Sequence, residues 1–86
     1  MKKITLFILA NCPYCREALR YMEELYKTDA RYRDIPLEKI DEGKSPEIAN
    51  KYDYYYVPTF YVGEKKVHEG AVSLQAVRQI FDEALK

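Results

Sequence analysis

The stretch Ile4-Thr5-Leu6-Phe7-Ile8-Leu9-Ala10-Asn11-Cys12-Pro13-Tyr14-Cys15 decides the fold. Ile4 to Leu9 is apolar on both faces apart from Thr5, as expected of a central strand covered by helices on both sides. Pro13 suits the first turn of a helix, where the backbone nitrogen needs no hydrogen bond. The spacing predicts a helix from Pro13 with Ala18, Leu19, Met22, Leu25 and Tyr26 on one stripe. Arg16, Glu17, Arg20, Glu23, Glu24 and Lys27 occupy the opposite side. Two cysteines thus stand where a buried strand gives way to a helix.

Working outward, Ile35, Leu37 and Ile40 mark a second strand, and Pro36 places it at a sheet edge. Strand, helix, strand at this spacing implies a parallel pair with a right-handed crossover. Ser45-Pro46 is expected to open a short helix, with Ser45 as cap and Ile48, Ala49 and Tyr52 facing inward. Pro58 to Val62 and Lys65 to Glu69 read as a hairpin turning at Gly63-Glu64. Ser73 is expected to cap a last helix whose core stripe is Leu74, Val77, Phe81, Ala84 and Leu85. The order is β-α-β-α-β-β-α. It is an α/β fold with a four-stranded mixed sheet flanked by helices on both faces, expected as one domain over residues 1–86.

The 86 residues are 48% hydrophobic, enough apolar content for a folded domain. Fourteen basic and fourteen acidic residues cancel and are interspersed in sign, so nucleic acid is not an expected partner. Balanced charge without a sticky patch makes a monomer the expectation. Met1-Lys2-Lys3 before the apolar run resembles the start of a signal segment, ending near a lipoprotein-like Leu9-Ala10-Asn11-Cys12. The run is short for that role and far below the ~20 residues of a membrane span, so the buried-strand reading is preferred and no membrane is expected. His68, the one histidine, alternates outward from Val67 and reads as a solvated side chain with no assigned role.

One Cys-x-x-Cys pair is too few cysteines for a secreted disulfide framework and points to redox chemistry in a reducing, cytoplasmic setting. Cys12 at the helix start faces unpaired backbone N–H groups and the positive end of the helix dipole, both of which favour thiolate over thiol. Cys15, three residues on, is within reach of Cys12 and is expected to be more buried. The roles follow: Cys12 attacks a disulfide, and Cys15 resolves the mixed disulfide. Arg16 adds positive charge nearby. A structural disulfide across so small a loop would constrain the unfolded chain little. A structural zinc site would need four ligands, which the two cysteines and His68 do not supply.

Cys12-Pro13-Tyr14-Cys15 after a strand and opening a helix resembles the glutaredoxin active site, and the element order resembles the thioredoxin fold over essentially the whole chain. Val57-Pro58-Thr59 resembles the second family signature. The resemblance implies a cis proline facing the cysteines and a Val57 backbone that pairs with substrate like an added strand. It extends the expected substrate-binding set to Pro13, Tyr14, Val57, Pro58, Thr59 and Gly70. Leu9 stands where glutaredoxins carry a lysine for glutathione, and Glu69-Gly70-Ala71-Val72-Ser73 replaces their Gly-Gly stretch. Gly70-Ala71-Val72-Ser73 instead resembles thioredoxins, although Asn11 replaces their tryptophan and Leu6 their buried aspartate.

The expected function is a thiol–disulfide oxidoreductase reducing protein or glutathione mixed disulfides. No tightly bound cofactor is expected; glutathione is a candidate reductant, and otherwise a reductase is the electron donor. The alternatives are a carrier of a glutathione-ligated iron–sulfur cluster and a redox-inert peptide-binding adaptor. Tyr54-Tyr55-Tyr56 is expected to line the groove rim, with one ring exposed to a partner.

Overall fold

Strand β1 (Ile4–Ile8) lies inside a sheet of order β2-β1-β3-β4, in a computed structural model that describes all 86 residues. It pairs parallel with β2 (Leu37–Asp41) and antiparallel with β3 (Thr59–Val62), which pairs antiparallel with β4 (Lys65–Glu69). A strand flanked on both edges and covered on both faces has no solvated side, which accounts for its apolar run. Its alternation divides the core in two. Ile4 and Leu6 join Phe60 and Val62 in the larger cluster, built with α1 (Pro13–Thr28) and α3 (Leu74–Leu85). Phe7 faces the other way, with Ile40, Tyr61 and Ala49 of the short α2 (Pro46–Ala49). The sheet is mixed, with helices on both faces, as expected.

Several local expectations need correction. β1 stops at Ile8, and Leu9 is 39% exposed because the chain is already turning toward α1. Ile35 is buried but lies outside β2, at the end of a 3-10 turn, Ala30–Asp34, that no periodicity announces. That turn is pinned by Tyr32, which packs on Phe81 with ring centroids 5.1 Å apart and donates its hydroxyl to Asp82 Oδ1 at 2.6 Å. Burial and the Asp82 carboxylate push the Tyr32 phenol up to about 12. Pro58 precedes β3 rather than starting it.

The two predicted caps differ. Ser73 Oγ accepts the Ala76 N–H at 3.1 Å and opens α3, whose Val77, Ile80, Phe81 and Ala84 are buried. Ser45 makes no side-chain cap bond: its backbone is at φ −132° and ψ 58°, outside the extended cap conformation, and its carbonyl alone takes the N–H groups of Ile48 and Ala49. Gly63, at φ +61°, turns the β3–β4 hairpin. At the far end of the sheet, the Lys2 N–H donates to the Ala84 carbonyl at 2.8 Å and brings the two chain ends together. No helix is long and apolar enough to cross a membrane.

Candidate active site

Asn11 makes the corner between β1 and α1 with a left-handed backbone, φ +63°, a conformation asparagine tolerates better than most residues. Cys12 follows in extended conformation as the N-cap of α1, with Pro13 in the first turn. The Cys15 N–H donates to Cys12 Sγ at 3.2 Å, so one of the orphan donors of the helix start is aimed at the sulfur. Cys12 is half-buried, Cys15 is 2% exposed, and both are free thiols. Burial first, and then the bond to the Cys12 sulfur, pushes the Cys15 thiol up to about 12; the Leu9 backbone partly offsets this, while electrostatic interactions with Cys12 and Glu42 add to it. Tyr14 projects from the turn at 56% exposed, and Pro13 and Arg16 are also exposed.

A second wall stands beside this corner. Thr59 pairs with Phe7, so Pro58 and Val57 continue past the end of β1, at the same end of the sheet as the cysteines. The Val57–Pro58 peptide is cis, Pro58 and Thr59 are fully buried, and the Pro58 carbonyl accepts the Gly70 N–H at 2.8 Å. Gly70 makes this approach at φ +94°, which a side chain would strain. Pro13, Tyr14, Val57, Pro58, Thr59 and Gly70 therefore gather at one end of the sheet with Cys12 and Cys15.

The three tyrosines divide. Tyr54 stacks on Phe7, centroids 4.7 Å apart, and donates its hydroxyl to Glu42 Oε2 at 3.0 Å. Burial and that carboxylate raise its phenol above the usual range. Tyr55 and Tyr56 are 85% and 71% exposed, so two rings rather than one reach solvent. His68, read as solvated, is half-buried with Nε2 2.8 Å from the Ala71 carbonyl. Its ring braces the turn after β4.

Glu69 is the residue that sequence reasoning missed. Its carboxylate binds Lys66 Nζ at 2.8 Å and accepts the N–H groups of Tyr55 and Tyr56. These three donors, Lys66 foremost, hold its carboxyl down at about 2. A contact between a strand end and amides 13 and 14 residues earlier leaves no local pattern to read.

The largest concavity, about 530 Å³, lies at the opposite end of the sheet among Lys2, Gly63, Lys65 and Glu83 and includes neither cysteine. The cysteine corner is an open surface. No three His, Cys, Asp or Glu side chains converge as metal ligands.

The sequence profile of the Thioredoxin domain family matches residues 2–82. None of the curated proteins matches the chain. Among solved structures, mitochondrial thioredoxin 3 from Saccharomyces cerevisiae, in its oxidized form, is similar with a TM-score of 0.73 at 21% identity, over 95% of this chain and 77% of that one. Oxidised thioredoxin from Plasmodium falciparum gives 0.70 at 24% identity over 93% and 77%. An uncharacterized thioredoxin-like protein from Clostridium perfringens gives 0.70 at 24% over 98% and 71%. A sheet of this order, a Cys-x-x-Cys pair at the start of its first helix and a profile match over nearly the whole length lead to one conclusion: the chain belongs to the thioredoxin-domain family, and its fold and paired thiols are those of a thiol–disulfide oxidoreductase.

Proposed function

We propose that the chain reduces disulfides carried by proteins, through a dithiol cycle in which Cys12 is the nucleophile and Cys15 the resolving thiol. The observation that carries this reading is the asymmetry of the pair: Cys12 is reachable with a backbone donor on its sulfur, and Cys15 is sealed behind it. The Cys12 thiolate attacks one sulfur of the substrate disulfide, forming a mixed disulfide and releasing the other sulfur as a thiolate, which takes a proton from water. Cys15 then gives up its proton and attacks Cys12 Sγ. The Cys12–Cys15 disulfide forms, and the substrate's second sulfur leaves reduced. Two electrons have passed to the substrate, and an external thiol donor returns the dithiol.

The open surface around the cysteines suits a disulfide presented by a protein better than a small molecule held in a cleft. Leu9 offers no charge for a glutathione carboxylate, which favours a protein reductase over glutathione as the donor. The cycle is that of a cytoplasmic monomer with no resident cofactor.

The test is reduction of insulin and of hydroxyethyl disulfide by the wild-type chain, Cys12→Ser and Cys15→Ser, with glutathione plus its reductase or thioredoxin reductase as donor. Cys12→Ser is expected to fall to background on both disulfides, and Cys15→Ser to accumulate a mixed disulfide visible by mass spectrometry. Full activity in Cys12→Ser would end this reading.

A further inference from the structure

The segment from Asp53 to Pro58 contains no helix or strand, yet four of its six residues have a backbone group held by a hydrogen bond. Tyr61 donates its hydroxyl to the Asp53 carbonyl at 2.9 Å, and the Thr59 hydroxyl donates to the Tyr56 carbonyl. Gly70 N–H holds the Pro58 carbonyl. Glu69 contributes most. Its Oε2 accepts two successive amides, Tyr55 N–H at 2.5 Å and Tyr56 N–H at 2.9 Å, while Oε1 takes the Lys66 ammonium. Successive N–H groups converging on one point form a concavity that binds anions. Here the anion is the protein's own carboxylate, and its charge makes both bonds stronger than neutral ones.

Val57, like Tyr54, lacks any such backbone tie. Its N–H and carbonyl take part in none of the hydrogen bonds of the folded chain. Five large apolar side chains are strongly exposed, and four of them, Leu9, Tyr14, Tyr55 and Tyr56, stand at the cysteine end. A free backbone edge beside exposed aromatic rings is the equipment for adding an extended peptide as a strand, with its side chains packed on the rings.

We propose that Glu69 is a positioning residue for substrate: by clasping the Tyr55 and Tyr56 amides, it fixes the free Val57 edge and the two rings as the seat for an extended protein segment that carries the disulfide. This rests on the reductase reading above and deepens it, since the seat selects protein disulfides over small ones. Glu69 touches neither the cysteines nor the substrate. Its effect belongs in substrate affinity rather than in the chemical step.

The experiment is steady-state reduction of insulin and of hydroxyethyl disulfide, which is too small to span the Val57 edge and the rings. Glu69→Ala is expected to raise KM for insulin about fivefold or more, with kcat for insulin and kcat/KM for hydroxyethyl disulfide within about twofold of wild type. Glu69→Gln keeps an oxygen able to accept both amides and is expected to recover most of the affinity. Hydrogen exchange at Tyr55 and Tyr56 should quicken in Glu69→Ala while β1 and α1 keep their protection, which separates a loosened loop from a misfolded chain. An insulin KM indifferent to both variants overturns the proposal. So does an equal loss on both disulfides, because Glu69 would then act through Cys12 or the whole fold. A wild-type chain that reduces neither compound removes the reductase and the clasp together; a working reductase blind to Glu69 removes the clasp alone.

Discussion

The two walls of the site are built by different means. The helix wall, Cys12 to Cys15, inherits its position from backbone hydrogen bonds and from α1, whose Ala18, Met22 and Leu25 are sunk in the larger core. The loop wall, Asp53 to Pro58, has no repeating backbone pairing and is tied by the side chains of Glu69, Thr59, Tyr61 and Tyr54 itself. On the function proposed above, the wall that does the chemistry is set by secondary structure, and the wall proposed to meet a partner is set by a few replaceable side chains. On that proposal, loop-wall substitutions are expected to retune recognition without disturbing Cys12.

That separation can be broken by experiment. Cys12→Ser, already expected to erase turnover, marks the scale; a loop-wall variant that matched it would show the walls are one unit. The next largest effect is the contrast between the two thiols. With its thiol raised to about 12, Cys15 stays protonated at neutral pH, and its reactivity climbs as pH rises toward that value. Iodoacetamide at pH 7 should give one adduct per reduced chain, with Cys15 roughly a hundredfold or more slower than Cys12. Denaturant should release the second adduct, as counted by intact-mass spectrometry. At the corner itself, Asn11→Val forces a β-branched residue into a left-handed backbone and is expected to cost roughly 1–2 kcal/mol in urea unfolding, with Asn11→Gly tolerated. Smallest is Tyr54→Phe, which keeps the stack on Phe7 and loses only the bond to Glu42. About 1 kcal/mol is expected, with no change in the Cys12 alkylation rate.

The helix wall was legible in the sequence for the same reason it is rigid. An apolar run without alternation, a proline at a helix start and a stripe of Ala18, Met22 and Leu25 are local patterns, and local patterns survive in one dimension. The loop wall is made of long-range bonds from side chain to backbone. Glu69 reads as an ordinary charge at the end of a strand, and nothing near it in sequence tells that its partners are amides beyond the hairpin. Family resemblance supplied the place of Val57 and Pro58 but not what holds them. The 3-10 turn at Ala30–Asp34 escaped for a related reason: amid Arg31, Arg33 and Asp34, a single buried Tyr32 is too sparse to make a period. Ser45 shows the converse failure, since a cap residue in the right place makes no cap when its backbone angles turn the side chain away.

The bond between the Lys2 N–H and the Ala84 carbonyl has a practical consequence. β1 starts beside that bond and ends at the cysteine corner, so both termini sit together, one strand length away from the thiols. A linker attached at either terminus, or one joining them in a circular permutant, would emerge behind the molecule. Anchored to a bead, an electrode or a fused enzyme, the protein would still hold the Cys12 sulfur toward the solution.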